Sequence, residues 1–325
     1  MTITRRAVLG AGLTAAAGGV AAQGNWPAGR PIRIVVPFAA GGGSDVAARV
    51  LSQALGESLK TPVVVENKPG AHGSVGAAEV TRSPADGHTL LMGSTGTMAI
   101  NPKLHPKLAY DPNKDFVPLS LLTIAPNVVV VHPSLPVNDL PSLVAYLKAN
   151  PGRANYASAG AGNSGHLTAE YFKVRTGTFI THIPYRGDGA ALSDLISGQV
   201  QMMFTSLLGA MPHIRNGRLR ILATTARQRL AEFPGVPTVE ESLKLQGFEA
   251  VSWQAIYAPA GTPPEIVTRL SAEFDAVLKL PAIAKRINDL GAIPAGGPPS
   301  RLAQYQAAEQ KKWGDVIRTT NIKPE

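Results

Sequence analysis

The chain has 325 residues, 31 Lys and Arg against 22 Asp and Glu, a formal net charge of +9, and no cysteine. Without cysteine there are no disulfides, no thiolate metal site and no cysteine nucleophile. The basic residues are scattered, apart from Arg215–Arg220 and Lys311–Lys312, so no nucleic-acid partner is expected and a positive body suits an anionic solute.

Residues 1–22 read as a secretory signal peptide. Arg5 and Arg6 precede an uncharged stretch of small and apolar residues, Ala7 to Ala22, that ends in Val20-Ala21-Ala22. The twin arginine makes the folded-protein export route an option beside the general one. The segment is too short and too glycine-rich for a membrane span. A soluble periplasmic protein is therefore expected.

The remaining chain alternates strand-like runs with helical patterns, the signature of α/β layers. Ile32–Phe38 reads as a buried strand, Ala39–Gly43 as a turn, and Ser44 as the cap of a helix with apolar residues at Ala47, Val50, Leu51, Ala54, Leu55 and Leu59. Strands at Pro62–Asn67 and His88–Gly93 follow, separated by a glycine-rich turn and a short helix ending near Arg82; Ser94–Thr97 reads as a turn. A second unit carries helices over Leu140–Ala149, Gly165–Arg175, Asp188–Ser197 and Leu207–Asn216. Its strands are Ala154–Ser158, Thr181–Pro184, Val200–Phe204 and Leu219–Thr224. Val251–Ala258 reads as a returning strand. Three helices close the chain: Pro264–Leu280, Ile283–Leu290 and Pro299–Thr320, with prolines at starts where a missing N–H costs nothing.

A chain of about 300 mature residues usually divides into two lobes. The long apolar segments Leu119–Val131 and Val251–Ala258 are candidate crossovers. Residues 23–128 plus 254–325 then form one lobe and 129–253 the other.

One feature recurs along the chain: a strand, a Gly/Ser/Thr turn, then a helix start. It occurs around Ala40–Asp45, Gly70–Ser74, Ser94–Thr97, Ser158–Ser164 and Tyr185–Gly189. Helix N-termini offer free N–H donors and partial positive charge, and in open α/β sheets such turns lie where ligands bind. The nucleotide versions fail, since Val46 stands where a dinucleotide fingerprint needs glycine and no phosphate-loop Gly-Lys-Ser/Thr exists. Gly162-Asn163-Ser164-Gly165-His166 misses a nucleophile elbow because His166 replaces the final glycine. The seven histidines lack HxH or HxxxH spacing, so neither a metal nor a cofactor is expected. Arg186 reads two ways, as a fork for a ligand carboxylate or as a surface arginine beside Asp188. Phe38, Tyr185 and Trp253 are candidate cleft walls, with core packing the default for Trp253.

At these residues the chain resembles the substrate-binding receptors of tripartite tricarboxylate transporters, the Bug-type proteins. The markers are Pro37–Asp45, Val64–Ala71, Ser83–Leu90, Pro184–Gly187, Val236–Val239 and Pro259–Pro263. The resemblance implies a type II periplasmic-binding-protein fold of two Rossmann-like lobes joined by two crossover strands. It implies a receptor that binds a small carboxylic acid, catalyses nothing, and presents its closed form to a membrane permease or a sensor domain; a monomer is expected. Backbone N–H groups and waters of the loop matching Phe38–Gly43 would hold one carboxylate, and loops matching Ser94–Thr97 and Ala159–Ser164 would complete the pocket.

The candidate ligand contacts are Phe38, Ala40, Gly41, Gly42, Ser44 and Asp45, then His72, Ser94, Thr95 and Thr97. From the second unit come Ser158, Ala159, Gly160, Asn163, Ser164, Tyr185, Arg186 and Thr205. Thr205 departs from the family pattern, which usually has Asp after Met202-Met203-Phe204. Losing that charge predicts an acid without an amino group. The competing class is an enzyme, transferase or hydrolase, on a related two-lobed fold.

Overall fold

The architecture comes from a computed structural model that describes residues 26–323. The leader read over residues 1–22 lies outside the described residues.

In chain order the first elements are β1 (Ile32–Val36), α1 (Gly43–Leu59), β2 (Val63–Asn67), α2 (Ser74–Thr81) and β3 (Thr89–Ser94). A π-helical turn over Gly96–Ile100 runs into α3 (Asn101–Leu104), followed by β4 (Phe116–Val131). Next come α4 (Leu140–Ala149), β5 (Asn155–Ser158), α5 (Ser164–Thr176), β6 (Thr181–Pro184), α6 (Asp188–Ile196), β7 (Met202–Ser206), α7 (Leu207–Arg215), β8 (Arg220–Thr224) and α8 (Val239–Leu243). The chain ends with β9 (Val251–Pro259), α9 (Pro264–Leu278), α10 (Pro281–Asp289), β10 (Ile293–Pro294) and α11 (Pro299–Thr320).

The strand β4 belongs to two sheets. Its first part, Phe116 to Pro126, pairs antiparallel with β9, and its last part, Asn127 to Val131, pairs antiparallel with β7 and β8. The first sheet therefore runs β2-β1-β3-β9-β4 with β10 at its edge, and the second runs β6-β5-β7-β4-β8. Both have the same plan: four parallel strands and one antiparallel strand inserted fourth. In the first sheet β9 is the insertion; in the second it is the end of β4.

Alternation along each strand divides the core into layers. In β1, Ile32, Ile34 and Val36 face α1, α9 and α10, while Val35 joins Leu91, Tyr257 and the helices α2 and α11 on the other side. In the second sheet Val129, Val131, Met202 and Phe204 pack under α4 and α5, and Val128, Val130 and Met203 under α6 and α7. Covering both faces suits parallel strands rich in Val, Ile and Leu. The three C-terminal helices thus return to the first sheet. Trp253 is fully buried there, and its indole N–H and that of Trp313 both donate to Glu309 Oε2, at 3.2 and 3.1 Å. It is core rather than cleft wall.

Two local readings are corrected. Helix α1 begins at Gly43, its N-cap is Gly42, and no side chain caps it; Ser44 already lies inside the first turn. Of the turn read over Ser94–Thr97, Gly96 and Thr97 already belong to a helical segment that runs through Leu104. Among the described residues no helix is long and apolar enough to cross a membrane.

Candidate functional site

The site begins with where the helices start. Parallel strands deliver their C-terminal ends to one edge of each sheet, and the two edges face each other. A narrow cleft lies between them. Four helices begin on its wall. Gly42, Ser44 and Asp45 belong to the start of α1, Asn163, Ser164 and Gly165 to α5, Asp188 to α6, and Ser206 to α7. The starts of α1, α6 and α7 have no side-chain cap. Their first N–H groups are left for something else, and their partial positive charges converge.

The donors on the wall are neutral. Asn163 caps α5 by accepting the His166 N–H at 2.7 Å, which leaves its Nδ2 buried without a hydrogen-bond partner. Ser206 Oγ, on a residue only 4 % exposed, is also unpartnered. Ser252 and Gln254 of β9 complete the wall: Gln254 Nε2 donates to Ser252 Oγ at 3.1 Å and its carbonyl accepts from Thr123. A buried polar atom without a partner costs on the order of 1–3 kcal/mol, so such atoms on a cleft wall suit a ligand that satisfies them.

Two carboxyls reach this wall and behave differently. Asp45 is buried and binds its own loop, accepting from Gly41 N at 2.9 Å, Asn67 Nδ2 at 3.0 Å and the Arg49 guanidinium at 3.0 Å. Burial opposes its ionisation, but those donors outweigh it and hold the carboxyl below its usual value. Asp188 accepts a hydrogen bond from Thr205 Oγ1 at 3.2 Å. Burial pushes its carboxyl up to about 6, and the Thr205 bond only partly offsets this.

The two lobes touch around the cleft. Ala39 N donates to Arg186 O at 2.9 Å. Gly187 has φ 139°, and a Cβ there would lie 2.6 Å from Ala39 N, so the turn needs glycine twice over. On the opposite rim a Cβ at Gly96 would meet Asn163 at 3.2 Å.

Of the residues singled out from sequence, Phe38, Gly42, Ser44, Asp45, Ser94, Thr95, Ala159, Asn163, Ser164 and Thr205 line this cleft. The others lie elsewhere. Ala40 and Gly41 form the back of the interlobe contact with Gly189. Thr97 hydrogen-bonds within the Ser94 turn, and Ser158 Oγ bonds Gly160 and His182. Gly160 closes on Tyr185 O, and His72 stacks on His105. The Tyr185 hydroxyl donates to Asp194 at 2.7 Å, and burial first, then Asp194, raise its pKa to about 12. Arg186 is exposed. Sequence reasoning missed Asp188, Ser206, Ser252 and Gln254. The turn holding Asp188 was visible, but the aspartate read as a partner for Arg186. Among the described residues no group of three or more His, Asp or Glu is placed to hold a metal ion.

Comparison with known proteins agrees with this architecture. The profile of the family described as "Tripartite tricarboxylate transporter family receptor" matches residues 47–322. Protein BugT of Bordetella pertussis is 38% identical over 316 residues, 96% of each chain. Among solved structures, Rpa4515 of R. palustris with adipate has a TM-score of 0.89 at 35% identity, covering 92% of this chain and 100% of that one. MatC from Rhodopseudomonas palustris with bound malate has a TM-score of 0.84 at 35% identity, covering 89% and 99%. This chain belongs to the tripartite tricarboxylate transporter receptor family.

Proposed function

We propose that this protein is an extracytoplasmic receptor that captures a small carboxylic acid between its lobes and returns it unchanged. The observation that carries this reading is the convergence of four helix starts on one cleft whose unpartnered donors, Asn163 Nδ2 and Ser206 Oγ, are neutral. An anion held by oriented N–H groups needs no cationic side chain. The carboxylates bound by the similar proteins, adipate and malate, point the same way.

The lobes are taken as residues 23–128 plus 254–325 and 129–253. The change of β4 from β9 to β7 and β8 at Asn127 supports that division. Closure would follow from contacts that only the closed form makes with ligand. The closed face would then engage a membrane permease or sensor, after export directed by the N-terminal leader.

Titration calorimetry and thermal unfolding against a panel of mono-, di- and tricarboxylates test this. One acid should saturate the protein and raise its unfolding midpoint, by about 2.7 kcal/mol of apparent stability at a hundredfold excess over Kd. It should be recovered unaltered after prolonged incubation. Chemical turnover of the acid, or no binding across the panel, would reject the reading.

A further inference from the structure

The cleft has an uneven charge. Among the described residues its lining includes no Lys, Arg or His, and its charged side chains are Asp45 and Asp188. Asp45 is neutralised by Arg49 and further held by hydrogen bonds from Gly41 N and Asn67 Nδ2. Asp188 is not. Among the described residues its one hydrogen-bond donor is the Thr205 hydroxyl, bound to Oδ1, and no cation pairs with it. Its other oxygen lies 3.5 Å from where a Cβ of Gly42 would stand, at the seam between the lobes. A carboxyl half-buried at this seam, with one neutral donor, is poorly compensated, consistent with its raised pKa.

A second carboxylate on the ligand would meet like charge there, whereas an ammonium would supply the missing counter-ion. We propose that Asp188 recognises a protonated amine, so that the acid selected by this cleft is an amino acid rather than a plain di- or tricarboxylate. This rests on the carboxylate reading above: the helix starts with Asn163 and Ser206 take the carboxylate, and Asp188 takes the amine. A zwitterion is then compensated at both ends without a cationic side chain. The preference drawn from Thr205 alone is reversed, because its hydroxyl holds a carboxylate that comes from α6.

The test is calorimetry of the purified chain at pH 7.5 with pairs differing only in the amine: L-aspartate and succinate, L-glutamate and glutarate, L-alanine and propionate. In the wild type the amine-bearing member of one pair should bind about tenfold tighter or more. In Asp188→Asn that preference should shrink to within about threefold, with the plain acid still bound. A wild type that favours the plain acids, or an Asn variant that keeps the amine preference, overturns the assignment while leaving the carboxylate reading intact. Failure of every acid to bind the wild type overturns both. A second measurement does not depend on the variant folding. Near pH 6, amine binding should drive a proton off Asp188, seen as a heat that varies with buffer ionisation enthalpy; absence of proton release overturns the proposal.

Discussion

At the scale of single residues, Gly42 decides how closely the lobes can approach. Its φ of −84° is one any residue adopts, so the glycine is not there for the turn's backbone. The reason lies across the cleft: a Cβ at Gly42 would sit 2.9 Å from the Asp188 Cβ, closer than real side chains come. Opening the lobes relieves that clash, so Gly42→Ala should leave the unfolding midpoint of the free protein nearly unchanged. Closure should suffer instead, with affinity for the bound acid falling about tenfold, the lower end of an overpacking cost of roughly 1–3 kcal/mol. Equal affinities for variant and wild type in calorimetry would mean that the lobes bind ligand without meeting here. Ser44, inside α1 rather than capping it, should tolerate alanine with a change within about 0.5 kcal/mol.

At the scale of elements, the loop between β1 and α1 is held by the helix it precedes. Asp45, in the first turn of α1, reaches back to Gly41 N and sideways to Asn67 at the end of β2, fixing the turn that carries Phe38 and Gly42. Asp45→Ala should cost about 1–3 kcal/mol in denaturant unfolding, as expected for a buried, charge-assisted cluster. Because the folded-state pKa of Asp45 is lowered, its contribution is present above the ordinary carboxylate range and is lost as pH falls through the lower folded value. The stability curves of wild type and variant should therefore converge below roughly pH 4. Curves that stay parallel would show that the charge of Asp45 does not matter. The elements themselves were largely legible, because turn chemistry and periodicity agree: Leu140–Ala149, Thr181–Pro184 and Pro299–Thr320 begin and end where the sequence places them. The helical segment after Gly96 was not. All of Gly96–Ile100 is buried, so there is no polar face to betray a helical period. The cleft was legible as a set of turns, since each strand-turn-helix junction carries its own local signal. The role of Asp188 was not, because it depends on the Thr205 hydroxyl of a neighbouring strand and on Gly42, a residue far away in sequence that only the meeting of the lobes brings near.

At the scale of the whole molecule, the lobes also meet at a seam of histidines. His72 stacks on His105 at 4.8 Å, and His166 stacks on His182 at 4.4 Å. Gly162 lies between the two pairs: its N–H donates to His166 Nδ1 at 3.1 Å, and a Cβ there would stand 3.1 Å from His105 Nε2. The first pair belongs to the N-terminal unit and the second to the unit after β4, so opening the lobes would return the His105 ring to water. Burial, followed by positive charge on His72 and His166, holds the His105 imidazole below its ordinary value. A group depressed in the closed state binds more protons when opened, so closure weakens as pH falls from about 6.5 through that lower value. Asp188 has the opposite sign. Its pKa is raised to about 6, so an unpaired Asp188 weakens closure as pH rises through about 6. The two effects separate in a comparison that keeps Asp188 constant. Affinity for the tightest acid of the matched pairs, measured from pH 8 down to pH 5, should fall in the wild type about threefold more than in His105→Gln. The difference between the two curves isolates the imidazole, since the ligand and Asp188 titrate identically in both. Superimposable curves would mean that the seam stays as hydrated in the closed form as in the open one, and that the receptor's affinity is set by the cleft alone.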